Sequence, residues 1–130
     1  MSIEQDIRDH LLADTDVSAL VGTEISYLFL NQNFSLPAIV YRKVSASRVH
    51  DLSGPTGRVD ARFQIDLYSE SSVELADLSD KVRVALDGFK GTLGTRANVG
   101  GIHLVSENDL FEAGDEIFRK SHDYMVFYYD

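Results

Sequence analysis

In the stretch VDARFQIDLY, the residues Val59, Ala61, Phe63, Ile65 and Leu67 alternate with Asp60, Arg62, Gln64, Asp66 and Tyr68. Side chains on a strand point to opposite faces in turn, so this period of two calls for a strand with one buried and one wetter face. Shortly after it, Ser71 to Glu74 form an S-x-x-E capping box, in which the serine oxygen and the glutamate carboxylate satisfy free N–H groups reciprocally. The helix so opened carries Leu75, Leu78, Val82, Ala85 and Leu86 as an apolar stripe among Asp77, Asp80, Lys81 and Arg83, and Gly88 supplies the stop.

The rest of the chain is read against that strand and helix. Ile3, Ile7 and Leu11 share one face of a helix that Ser2 can cap, and a second short helical piece begins with Asp16 as its cap, runs through Val17, Leu20 and Val21 and ends at Gly22. EISYLF is a short strand, and Leu30 to Leu36 is polar and turn-like. Pro37 opens a strand that continues to Ser47, a position where its missing N–H is tolerated. Between this strand and Val59, RVHDLSGPTGR from Arg48 to Arg58 reads as a long loop. Gly91 to Gly101, with four glycines, reads as a flexible connection, and Ile102 to Ser106 as a strand. In the last strand, Phe118 to Tyr129, Tyr124, Val126 and Tyr128 share one face and Met125, Phe127 and Tyr129 the other. Apolar residues on both faces call for cover on both sides, by helices on one and a neighbouring subunit on the other. Helix, strands, helix, strands with hairpin-like links give an α+β fold: one domain, 1–130, a mainly antiparallel sheet, two principal helices on one face and a long loop between two central strands.

At 130 residues the chain can bury roughly two thirds of its unfolded surface without staples. The absence of cysteine excludes disulfides, thiolate metal sites and a cysteine nucleophile. No apolar run approaches the roughly 20 residues of a membrane span, and MSIEQDIRDHLL lacks the order of a signal peptide, so a soluble chain is expected. With 21 acidic and 12 basic residues the formal charge is −9, which argues against a surface built to grip phosphate backbones. An acidic surface lining a passage would instead let DNA slide without sticking.

Chemistry is sparse. His10, His50, His103 and His122 fall on different elements and show no metal-binding spacing, and His50 beside Asp51 lacks a nucleophile setting. GPTGR has no lysine and precedes a strand, and GTLGTRANVGG follows a helix and precedes a strand, so neither glycine pattern places a helix N-terminus against a phosphate. ENDLFEAGDE gathers Glu107, Asp109, Glu112, Asp115 and Glu116 without the ligand order of a calcium loop, which leaves a charged hairpin tip suited to meeting a partner. No catalytic, cofactor or metal site is expected, and no enzyme.

LPAIVY, SGPTGR, RFQIDLY, VRVALDGFKGTL and ENDLFE followed by RKSHDYMVFYY, taken in this order over nearly the whole chain, resemble the tail-completion, or tail-terminator, family of long-tailed bacteriophages and prophage particles. The resemblance implies a non-enzymatic α+β subunit that forms a homo-hexameric ring on the head-proximal end of the tail tube. Such a ring stops tube polymerisation and offers a surface to the head connector, with the major tail tube protein and the connector as partners and DNA passing through. It implies a place in the virion neck, assembly in host cytoplasm and no membrane. On that footing the segment with Arg48, His50, Asp51, Gly54, Pro55, Gly57 and Arg58 is expected at a subunit or tube interface, Arg48 and Arg58 pairing with acids of the next subunit. The aromatic terminal strand is the candidate open sheet edge for ring closure. Another ring-forming neck subunit, or a small non-viral ligand-binding α+β domain, fits the same residues.

Overall fold

A computed structural model describes residues 2–30, 33–94, 96–112 and 116–130. The alternating stretch is the middle of a longer strand, β3 (Gly54–Ser69), in the centre of a five-stranded sheet. Around it stand β1 (Ile25–Tyr27), β2 (Ala38–Asp51), β6 (Gly101–Glu112) and β7 (Ile117–Tyr129), in the order β1-β2-β3-β7-β6. Every pairing is antiparallel except β1 with β2, where Ile25, Ser26 and Tyr27 face Ile39, Val40 and Tyr41 in parallel.

One face of the sheet is covered by α1 (Ile3–Ala13), α2 (Thr15–Val21) and α3 (Ser72–Leu86). Val59, Ala61, Phe63, Ile65 and Leu67 of β3 all point into the core with Ile7, Leu11, Leu78, Val82, Tyr124 and Val126, so the period-two reading holds residue for residue. The helices bind to the sheet by polar contacts as well. The Tyr41 hydroxyl donates to the Glu4 carbonyl at 2.9 Å, and burial pushes its pKa up to about 12. Arg8 Nε donates to the Ile25 carbonyl at 2.9 Å.

The caps differ in detail from the reading of the sequence. Asp14, not Asp16, caps α2, its carboxylate accepting from the N–H groups of Asp16 and Val17 at 3.0 Å each. Ser71 caps α3 and accepts from Glu74 N–H, but the Glu74 carboxylate turns back to the Ser69 hydroxyl at 2.8 Å, and Ser69 in turn accepts from Ser71 N–H. The box is thus closed through one additional serine.

Three expectations are overturned. Arg48 to Arg58 is not a long loop: β2 and β3 run through it, leaving a two-residue turn at Leu52 and Ser53. Its polar residues mislead because both faces of the hairpin are exposed there, so no alternation marks the strands. Gly91 to Gly101 is not a plain connection: β4 (Gly91–Leu93) and β5 (Arg96–Val99) pair and bury Leu93 and Val99. The terminal strand is not an edge, since β7 is paired along its length with β3 on one side and β6 on the other. Of its two apolar faces, Tyr124, Val126 and Tyr128 are buried under the helices, and Met125 and Phe127 stay only half-buried on the face without them.

Candidate assembly surface

The β2–β3 hairpin projects past the end of the sheet. Asp51 stabilises the turn by accepting from Ser53 N–H at 2.7 Å, and Leu52 at its tip is fully exposed. Below the turn the register jumps from His50 opposite Pro55 to Arg48 opposite Val59, so Thr56, Gly57 and Arg58 bulge against Val49. Thr56 Oγ1 donates to the Val49 carbonyl at 2.8 Å, and Gly57 holds a φ of +85°, a conformation that side-chain-bearing residues rarely adopt. The bulge is fastened from the far end of the chain, because Asp130 N–H donates to the Gly57 carbonyl at 2.8 Å.

The arginines of this hairpin already have partners within the chain. Arg48 reaches Asp130 at 3.1 Å, and that bond holds the Asp130 carboxyl below its ordinary value. Arg58 pairs with Asp60 at 3.0 Å and lies over the Phe127 ring. His50 turns back to the Arg48 carbonyl, and Gly54 and Pro55 continue the strand. The structure therefore brings Arg48, His50, Asp51, Gly54, Pro55, Gly57 and Arg58 onto one arm.

The acidic segment forms a second arm. β6 and β7 stay paired out to Glu112 opposite Ile117, so Glu107 and Asp109 stand on a strand rather than on a hairpin tip, and Glu116 sits at the turn with a φ of +53°. Asp109 pairs with Lys120 at 3.4 Å. The side chain of Glu112 and the whole of Asp115 lie outside what the structure describes. Because Arg58 faces Tyr129 while Ser69 faces Phe118, the two arms leave the sheet at opposite ends.

The face without helices carries charge in pairs. Arg62 meets Asp123 at 3.0 Å, Arg119 meets Asp66 at 2.8 Å, and Arg58 with Asp60 belongs to the same face. Met125 and Phe127 are half-buried among these pairs, with His103 edge-on to Phe127.

The residues that sequence reasoning missed lie along the sheet's margins. β1 covers β2 only as far as Tyr41, so among the described residues Arg42 to Asp51 have no strand beside them on the outer edge. On β6 the segment after the third helix fills the first half of the edge: Ile102 exchanges backbone bonds with Gly88 and Phe89, and Leu104 N–H donates to Asp87. Among the described residues, that edge has no strand beside it from Ser106 to Glu112 either. Beside these openings stand exposed apolar side chains, Leu28 and Phe29 where β1 ends, Leu110 and Phe111 near the end of β6. Leu28 holds a φ of +74°, strained backbone of the kind found where function over-determines it. A groove of about 350 Å³ between α3 and the second arm is lined by Leu75, Ala76, Leu110, Phe111 and Phe118.

One buried polar cluster lies in the core. His122 is fully buried, with Nε2 2.9 Å from Ser79 Oγ and Nδ1 2.9 Å from the Tyr124 hydroxyl. Burial holds its pKa below the ordinary 6.5 against the opposing pull of Glu107. With both ring nitrogens bonded to hydroxyls, the cluster ties α3 to β7. Among the described residues no three His, Asp or Glu side chains converge on one point.

The family model described as tail completion protein gp17 matches residues 5–129 of this chain. A chain from the virion of a native gene transfer agent (GTA) particle has the same fold, with a TM-score of 0.81 over 99% of this chain and 96% of that one, at 14% identity. No curated protein matches.

Proposed function

The chain belongs to the tail completion protein gp17 family of structural proteins of the bacteriophage virion, and from that premise we propose that it forms a ring on the head-proximal end of the tail tube. There it stops tube polymerisation and joins the tail to the head connector, in the virion neck and after assembly in host cytoplasm. The observation that carries this reading is the family match, which spans the whole five-stranded sheet and all of the three helices but the first two residues of α1.

The two arms support it. They extend from opposite ends of one sheet, an arrangement that suits a subunit meeting a tube on one side and a connector on the other. The β2–β3 arm, with Leu52 at its tip and Arg48, His50, Asp51 and Arg58 behind, and the acidic arm with Glu107, Asp109 and Glu116, are the proposed contact surfaces. The helix-free face suits a passage for DNA. On that face Arg58, Arg62 and Arg119 are each neutralised by an aspartate of the same chain and Arg42 donates to the neutral Gln64 amide, so it offers a phosphate backbone no continuous line of unpaired cations. No catalytic role is part of this reading.

The test is to mix the purified protein with tail tubes and image them. A collar at one end only, with tube growth arrested, supports the proposal. Tubes that keep growing, with both ends bare, contradict it.

A further inference from the structure

Both margins of the sheet are half filled by the chain itself, and the unfilled halves lie diagonally across from each other. Arg42, Gln64, Asp123 and Ser106 stand side by side across β2, β3, β7 and β6. From that row the open part of β2 runs towards the β2–β3 turn, and the open part of β6 runs the other way, towards the β6–β7 turn. The two segments differ in charge: Arg42 to Asp51 contains Arg42, Lys43 and Arg48 against Asp51, whereas Ser106 to Glu112 contains Glu107, Asp109 and Glu112 and no base. β2 and β6 also run in opposite directions within the sheet.

We propose that the open segment of β6 in one copy of this chain adds as an antiparallel strand to the open segment of β2 in the next copy, Arg48 facing Glu107 and Ala46 facing Asp109. This rests on the ring reading above and names the contact that builds the ring. An open strand edge is a template for a further strand, and opposite charges across it select the partner. The register is set by the pleat. Arg48 and Ala46 point to the helix-covered face, as do Glu107 and Asp109, because Val59 and Ala61 join Arg48 and Ala46 to that face and His122 and Lys120 join Glu107 and Asp109 to it. With Arg48 opposite Glu107, the bulge between Lys43 and Ser45 brings Arg42 opposite Glu112 and Ser45 opposite Leu110.

The geometry closes. Sliding the copies into this register offsets them by about six residues, roughly 20 Å at 3.3 Å per residue, while the four lanes that each copy adds, β2, β3, β7 and β6, span roughly 19 Å at 4.8 Å each, because β1 shares the lane of the incoming β6. That offset across that width tilts the strands by about 46°, at the steep limit of the range of about 35–45° at which sheets close into barrels. The contact is heterologous, so it repeats around a ring. It also accounts for apolar exposure. The incoming β6 enters the lane that β1 leaves at Tyr27, bringing Leu110 and Phe111 next to Leu28 and Phe29.

The absence of cysteine in the chain makes the register testable by cross-linking. Two double variants, Ala46→Cys with Asp109→Cys and Ser45→Cys with Leu110→Cys, place thiols at facing positions about 4.5–5.5 Å apart between Cα atoms, within disulfide reach. Each is assembled alone and on tail tubes, sized, then oxidised and run without reductant. A ladder of covalent multimers ending at the ring size, from at least one pair and from neither of its single variants, is the expected result. Val84→Cys on the exposed face of α3, combined with Ala46→Cys, should give no ladder. Rings of normal size that stay monomeric on the gel for both pairs overturn the edge pairing and leave the ring reading standing. Covalent dimers from Ala46→Cys alone overturn it in favour of symmetric β2 pairing. No assembled species under any condition overturns both.

Discussion

Arg96 and Asp6, ninety positions apart, form an ion pair 3.0 Å long in which the carboxylate is fully buried and the guanidinium nearly so. The same guanidinium donates to the Tyr129 carbonyl at 2.8 Å and lies over the Tyr128 ring, so one side chain joins β5, α1 and the end of β7. Removing one partner of a buried pair leaves the other uncompensated, which typically costs roughly 3–5 kcal/mol. Arg96→Met should lower the unfolding free energy by about that much in urea titration, and Arg96→Met with Asp6→Asn should recover part of it. Equal loss in the single and double variants would mean that the pair is not what holds β5 in place.

Gly94 tests the same junction sterically. A Cβ there would lie 3.1 Å from Asp6 Oδ1 and 3.2 Å from Asp6 Cα, at a φ of +58°. Gly94→Ala should destabilise the protein by about 1–3 kcal/mol, the range for overpacking, whereas Gly22→Ala, with nothing within 4 Å, should cost only its backbone strain. A smaller loss at Gly94 than at Gly22 by thermal melting would contradict the close packing of β4 and β5 on α1.

His122 sets a pH dependence whose sign follows from its burial. Its pKa is below 6.5 in the folded chain, so the unfolded chain binds more protons as pH falls through that value. Stability should be complete above about pH 6.5 and fall as pH decreases towards the folded value. Glu4, whose burial is outweighed by the bond from Lys43, and Asp130, held by Arg48, titrate below ordinary values of 4.5 and 3.8, so neither carboxylate accounts for a loss that begins at pH 6.5. Unfolding free energies at pH 7.5 and 5.5 should differ in the wild type and converge in His122→Gln. A stability that rises on acidification would show the imidazole to be held as a cation.

Asp14→Ala should cost about 1 kcal/mol, the usual value of an N-cap, because its carboxylate serves two free N–H groups of α2. Asp16→Ala, inside the first turn, should cost a few tenths. The reverse order in chemical denaturation would assign the cap to Asp16.

What the sequence disclosed tracks where burial leaves an imprint. Phe63, Ile65 and Leu67 alternate because one face of β3 is buried, and Leu75, Leu78 and Val82 recur at helical spacing because one face of α3 is buried. The outer end of β2, from Arg48 to Asp51, is exposed or half-exposed on both faces, so its hydrogen bonds to β3 leave no pattern in the residues. β4 and β5 are too short for periodicity, and Arg96 gives no local sign that its partner is Asp6. The order of strands was equally hidden: nothing in YMVFYY tells that β7 lies between β3 and β6, and so which edges stay open was not legible. The candidate contact residues Arg48, His50, Asp51 and Arg58 were found as a group, but as a loop rather than as an arm.

Leu52 offers a way to separate assembly from stability. Fully exposed at the β2–β3 turn, it contributes no burial to the fold, so Leu52→Ser should change the unfolding free energy by less than about 0.5 kcal/mol. If the arm meets a tube or connector, the same substitution should weaken capture on tail tubes in a pelleting assay. Unchanged capture would remove the tip from the contact.

The most direct test of the central claim is the mass of the purified protein in solution across a concentration series, alone and with tail tubes. A discrete closed species near six subunits, formed alone or only at tube ends, is the predicted result. A monomer that persists at every concentration and ignores tube ends would contradict the ring.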